Sequence, residues 1–391
     1  ATLSKMEHLT IEELGPIGSV DISFGDLTFF VGPQTSGKSL ALEALKLAAD
    51  RDSIIETLDR YNYILGHNAE KILNVYFGEG LAKLWRKEAT RLVLDGQALT
   101  LPLLTKKPQE NKESSVFYVP AQRIVCMGDG YPRFFGDFTF TTPYVLREFT
   151  ETLRTFVQFG LGNKRTVFPI QERLKTIQKR SFDDTIFHKG QVVMDEVAGQ
   201  KKMLLAVDGI NIPFMAWSAG QKEFMPLLLA FYCLSGPPSK VVKRDRYTTA
   251  IIEEPEMGLH PRAILSVLLQ ICELMQSGYR VIVSTHSSTM LEFAWAFNLL
   301  QKEAGHDKFP KALRALFEVG PDSSVGKMLR KITDKSVKTY YFSRRKEDGK
   351  VYARDISTLD VGMPDDMELS AWGGISEFST RVNDVISEYL D

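Results

Sequence analysis

An α/β fold built on a parallel sheet is the architecture this 391-residue chain predicts, on three observations. The wholly apolar stretch Leu27–Val31 runs straight into a glycine-rich turn and then into a helical pattern. Two further apolar runs, 249–252 and Arg280–Ser284, flank a helical pattern from 261 to about 277. Such strands lack the in-out alternation of a half-exposed sheet, so both faces need cover, and helices alternating with them supply it.

In chain order, apolar and polar residues alternate over 9–14 and 19–24, which predicts a half-exposed antiparallel pair. Leu27–Val31 (LTFFV) is the first buried strand, and 39–49 (SLALEALKLAA) the helix after its turn. Residues 52–115 read mostly as helix, with a short β pair at about 90–104 and a polar loop, KKPQENKESS, before the apolar strand Val116–Val119. From 143 to about 180 the pattern is amphipathic helix, interrupted near Gly160 and Gly162. Strand-like runs at 191–195 and 202–208 meet at a turn over 198–200. A helix over about 220–234 leads through a Gly-Pro-Pro turn to the second buried strand. After the third, a hairpin pairs 339–344 with 350–355, and a helix ends the chain.

Composition bounds the function. With 44% hydrophobic and 25% charged residues the chain can bury a large core, and no apolar run of membrane-spanning length or basic-then-apolar leader stands in it. A cytosolic protein is expected. Cys126, Cys233 and Cys272 are far apart, the last two in apolar helical contexts, so neither a disulfide framework nor a zinc cluster is implied. The net charge of −1 gives no overall electrostatic footprint for nucleic acid. Local basic clusters at Lys240, Lys243, Arg244 and Arg246 and at Arg344, Arg345 and Lys346 read first as solvated loops.

Four motifs carry chemistry. Gly32-Pro33-Gln34-Thr35-Ser36-Gly37-Lys38-Ser39, followed by Leu40, fits G-x-x-x-x-G-K-[ST] between a strand and a helix. Backbone N–H groups of such a loop converge on phosphate oxygens, Lys38 neutralises the β and γ phosphates, and the Ser39 hydroxyl ligates Mg²⁺. Glu253 and Glu254 stand adjacent at the end of the second strand, in IIEEPE. Two such carboxylates can divide the work, Glu253 on the metal side and Glu254 as the base that polarises water. His286 closes the third strand in VIVSTHS and becomes a candidate to contact the γ-phosphate or the attacking water. Ser218, Gly220 and Gln221, in WSAGQ, open a helix and form either a second anion site or an ordinary cap.

In this order the four motifs resemble the phosphate loop, signature, acidic strand and switch histidine of ABC-type P-loop ATPases. The start IEELGPIGSVDISFGDLTFFVGPQTSGKS and the segment EEPEMGLHP resemble the SMC/RecF/OLD branch and not the transporter branch. The resemblance implies a P-loop NTPase head with an antiparallel β layer, a helical lid insertion over 143–215 and a small C-terminal appendage over 330–391. It implies ATP and Mg²⁺ as cofactors, and a homo-oligomer, at least a head-to-head dimer, in which Ser218, Gly220 and Gln221 act on ATP held by the partner. Gln122 resembles the glutamine linking Mg²⁺ to the lid, and is counted with Ser39 and Glu253 on the metal side. Arg123 is read as a phosphate or salt-bridge residue, with a plain polar strand end as the alternative to both roles. Residues 257–260 occupy the place of the loop that crosses the head interface, where His260 also fits as an ordinary helix start.

Departures from the branch pattern are Thr35 and Gln34 where glycine and asparagine are usual, Glu253 where aspartate is commoner, and Trp217 before the signature serine. None removes a group the chemistry needs. Residues 143–217 are too few for long coiled-coil arms, and Asp355, Asp360, Asp365 and Asp366 make no Toprim-like constellation. The expectation is therefore a stand-alone head, the sensor or scaffold of an anti-phage system, controlling a separate effector such as a Toprim-like nuclease. The alternative is a RecF-like repair ATPase that binds duplex DNA.

Overall fold

The computed structural model describes residues 5–161, 164–170, 172–238 and 241–358; Gly162, Lys240, the terminal helix, Asp360, Asp365 and Asp366 lie outside them. Strands β1 (His8–Leu14) and β2 (Ile17–Ser23) pair antiparallel about a tight turn, and β3 (Leu27–Val31) leads into α1 (Lys38–Arg60). Then come α2 (Ala69–Phe77), β4 (Arg91–Leu94), β5 (Gln97–Leu99), α3 (Leu101–Thr105) and β6 (Val116–Val119). A short ribbon, β7 (Met127–Gly128) with β8 (Tyr131–Pro132), precedes α4 (Tyr144–Thr155), β9 (Thr166–Phe168), α5 (Thr176–Phe182), β10 (Gln191–Val197), β11 (Gln200–Val207) and β12 (Ile210–Pro213). The second half runs α6 (Ala219–Leu234), β13 (Thr249–Glu253), α7 (Pro261–Gln276), β14 (Arg280–Ser284), α8 (Ser288–Glu303), α9 (Gly305–Leu316), α10 (Ser324–Lys331), β15 (Val337–Arg344) and β16 (Val351–Asp355).

Ten strands form one sheet in the order β5-β4-β1-β2-β16-β15-β3-β14-β13-β6. From β15 to β6 all neighbours are parallel, while β5, β4, β1 and β2 are antiparallel to one another. The expected antiparallel layer is thus the continuation of the parallel sheet. Apolar runs follow from this placement, because every central strand is covered twice. Phe29, Ala250, Ile252, Val281 and Val283 point into one core, and Phe30, Ile251 and Ile282 into the other. Burying each of the valine, isoleucine and phenylalanine side chains stabilises the fold by about 1.5–3 kcal/mol.

The sheet corrects one expectation. The hairpin of β15 and β16 is no appendage: β15 lies parallel to β3 from Val337 beside Leu27 to Tyr341 beside Val31, and β16 lies parallel to β2. Its alternation explains the insertion, with Val337 and Tyr341 in one core and Tyr340 and Phe342 in the other. The stretch 143–215, read as a helical insertion with two strand-like runs, carries a four-stranded antiparallel sheet, β12-β11-β10-β9. Helix α4 gives way to a π turn over Phe156–Gly160, and the β-branched and aromatic Thr166, Val167 and Phe168 then pair with β10. The three cysteines are buried and free, burial pushing the Cys126 thiol up to about 12.

Candidate nucleotide site

Parallel register brings the motifs together. Phe30 lies beside Ser284, and Ser284 beside Glu253, so β3, β14 and β13 end at one edge of the sheet. Ligand sites of open α/β sheets form at such carboxyl edges.

The phosphate loop occupies 32–37, in backbone states that few side chains tolerate. Gly32 has φ 138°, and a Cβ there would stand 2.2 Å from the Phe342 carbonyl oxygen of β15. Gly37, the residue before α1, has φ 78°. Thr35 adopts φ 59° in spite of its branched side chain. Lys38 curls back over the loop, its Nζ donating to the carbonyls of Gly32 (2.9 Å) and Pro33 (2.8 Å) and to Ser36 Oγ (3.0 Å). Burial lowers its pKa to about 8, against the opposing pull of Glu254, Glu253 and Glu256. Leu40 lies half-buried in the first turn of α1, close to Gly15.

Glu253 is buried at the end of β13 and holds both neighbours: Ser39 donates its hydroxyl to Oε2, and Tyr118 on β6 donates to Oε1 at 2.6 Å. Burial raises its pKa, and the two hydrogen bonds oppose the rise. Glu254 turns out of the strand at φ 43°, its N–H given to the Ser284 carbonyl at 2.8 Å. Its carboxylate lies 3.3 Å from His286 Nε2, and that hydrogen bond holds its pKa below the usual range. Glu256 accepts from Thr285 Oγ1 (2.8 Å) and from the His286 N–H (2.6 Å), which fixes the turn carrying the histidine.

Of the remaining candidates, Arg123 alone bonds to this cluster among the described residues. Gln122 is exposed after β6 and makes no hydrogen bond to Ser39 or Glu253 among the described residues. Arg123 beside it is wholly buried and donates to backbone carbonyls of the acidic strand. Ser218 is exposed at the start of α6 and forms a reciprocal capping box with Gln221, whose Nε2 also donates to the Ile186 carbonyl. Gly220 abuts the 257–260 loop, since a Cβ there would meet the Gly258 oxygen at 2.8 Å. His260 caps α7, its Nδ1 accepting from the Arg262 N–H at 3.3 Å. Tyr118 and Glu256 escaped sequence reasoning; the one signal for Tyr118 was a hydroxyl inside an otherwise apolar strand.

The residues suit a magnesium-bound triphosphate. Among those described, no group of three or more His, Cys, Asp or Glu side chains converges as a metal site. Magnesium held through phosphate and water needs only one or two protein oxygens, which Ser39 and Glu253 supply side by side.

A parallel sheet carrying a phosphate loop, paired glutamates and a histidine on one edge has the arrangement of a P-loop NTPase. Residues 155–292, which contain the signature, acidic strand and histidine, match the family described as AAA domain, putative AbiEii toxin, Type IV TA system. A stretch of 54 residues is 50% identical to the Old nuclease of Escherichia phage P2; it amounts to 14% of this chain and 9% of that nuclease. Similar solved structures include the SMC head domain from Thermotoga maritima, 12% identical at TM-score 0.35 over 90% of this chain and 99% of that one. An SMC head bound to the C-terminal winged-helix domain of ScpA is 14% identical at TM-score 0.42, over 91% and 98%. An ATP-binding subunit of an ABC transporter is 16% identical at TM-score 0.33, over 73% and 82%. The family match thus takes in about a third of the chain, and the Old nuclease match a small part of either protein.

Proposed function

We propose that the chain binds ATP with Mg²⁺ and hydrolyses it, the reaction being completed across two facing heads. The observation that carries this reading is the convergence of Lys38, the Ser39–Glu253 pair and the Glu254–His286 pair on one sheet edge. Loop amides and Lys38 hold the β and γ phosphates and stabilise the charge that develops there. Ser39 and Glu253 would hold the metal, which when bound neutralises phosphate charge. Glu254, kept deprotonated, accepts the proton of the attacking water, and His286 fixes its carboxylate. Ser218, exposed at the positive end of α6, suits an anion that a second subunit presents.

In the cell, this head acts as the ATP-driven sensor or scaffold that holds or releases a separate nuclease or toxin in anti-phage defence. Support comes from the kinship of residues 155–292 to a family named for a putative toxin and from the short stretch shared with a phage nuclease. The test is phosphate release from Mg-ATP by the purified protein, with Lys38→Ala and Glu254→Gln beside it. Turnover lost in both variants supports the reading, and turnover untouched by Lys38→Ala overturns it. DNA binding that weakens with salt and strengthens with ATP would instead favour the repair ATPase.

A further inference from the structure

We propose that Arg123 is a positioning residue for this hydrolysis, clamping the main chain of Glu253 and Glu254, and that Glu223 on α6 is the charge that holds the clamp in place. The inference rests on the hydrolytic reading above. Arg123 Nη1 donates to the carbonyls of Glu253 (2.7 Å) and Pro120 (3.3 Å), and Nη2 donates to the carbonyl of Glu254 (2.9 Å). A planar fork that spans consecutive carbonyls fixes the orientation of the chain between them, which a lysine ammonium cannot do.

The segment so held needs holding. Glu254, at φ 43°, occupies a region that long side chains seldom enter. It is gripped from both sides, its N–H by Ser284 and its carbonyl by Arg123. Relaxation to an ordinary extended backbone would swing its carboxylate away from His286.

The second residue, Glu223, lies on the helix that packs against the arginine's turn. Arg123 Nε and Glu223 Oε2 are each buried with no hydrogen-bond partner. Helix α6 packs on the turn Arg123–Cys126. Burial lowers the pKa of the Arg123 guanidinium, and Glu223 is foremost among the charges opposing that shift. Glu223 also touches the interface loop, its Cγ 3.2 Å from where a Cβ on Gly258 would stand. In this proposal the charge of Glu223, without a hydrogen bond to Arg123, couples α6 to the strand that ends at Glu253, so that engagement of the helix can reach the base.

Steady-state phosphate release and ATP binding by Arg123→Lys and Glu223→Gln test the proposal. For Arg123→Lys, kcat should fall about 10- to 100-fold while ATP affinity stays within about 3-fold. Combined with Glu254→Gln it should cause no further loss, since a device acting through the base has nothing left to position. Wild-type kcat, a parallel fall in ATP affinity, or an equal loss in the Glu254→Gln background would each overturn it. Should Arg123→Lys fail to fold, as a thermal melt would report, Glu223→Gln decides: a loss of about 3- to 10-fold in kcat at unchanged affinity supports the proposal, and unchanged kcat overturns it. Absence of phosphate release from the unmodified protein would instead mark failure of the hydrolytic reading.

Discussion

Lys38 and Glu254 show how position sets protonation in this site. Burial brings the Lys38 ammonium down to about 8, so it begins to lose charge at pH values where an exposed lysine keeps it. A triphosphate favours the charged form, so ATP binding near pH 8–9 should take up a proton, and affinity should fall as pH rises through about 8. Calorimetry in two buffers of different ionisation heat measures that proton. Glu254 is shifted the other way, toward the ionised form a base requires. Its replacement by Gln should cut turnover about 10²- to 10⁴-fold while ATP stays bound, as single-turnover assays with retained nucleotide would report. Thr35 is a different residue-scale case, a branched side chain at a left-handed angle. Thr35→Gly should raise stability by about 0.5–1 kcal/mol, read from the urea midpoint, the relief of strain exceeding the extra entropy of the unfolded glycine.

Elements differ in how openly the sequence announces them. Buried parallel strands were legible because nothing interrupts their apolar runs: Val116–Val119 and Arg280–Ser284 fall at the residues the pattern marks. The phosphate loop was legible because its chemistry is local, eight consecutive residues between a strand and a helix. The hairpin's own pairing was local and visible, but its seat between β2 and β3 depends on partners near the other end of the chain. Tyr118 and the clamp of Arg123 were obscure for the same reason, since each acts on Glu253 across more than a hundred residues. The four-stranded sheet was half seen, as two strands without the short outer ones. Where elements meet, tolerance is small: Gly32→Ala would drive a Cβ against the Phe342 carbonyl and should cost about 3 kcal/mol or more, or yield no folded protein, as a melting curve would show.

For the whole molecule, the lack of any hydrogen bond between the Ser218 turn and the phosphate loop among the described residues is the telling fact. The serine caps its own helix in the open, and none of Ser218, Gly220 and Gln221 hydrogen-bonds to the phosphate loop among the described residues. If each loop is served by another subunit's helix, damage to the two parts should complement. Lys38→Ala and Ser218→Arg should each be inactive alone, yet an equal mixture should recover about a quarter of the native rate, half the pairs being mixed and each keeping one intact site. A mixture as dead as its components would place both parts within one subunit.

Strand β15 has a consequence for biosynthesis. Its neighbour β3 is made well before it, and Ser336 meets Asp26 across a sequence separation of 310. A nascent chain on the ribosome must hold the flank of its nucleotide cradle open while the residues between β3 and β15 are made, because the wall against Gly32 arrives with Phe342. Contacts so distant form slowly. The cradle thus takes its shape only once β15 has been made, and fragments released before it would carry the phosphate-loop sequence without the means to shape it.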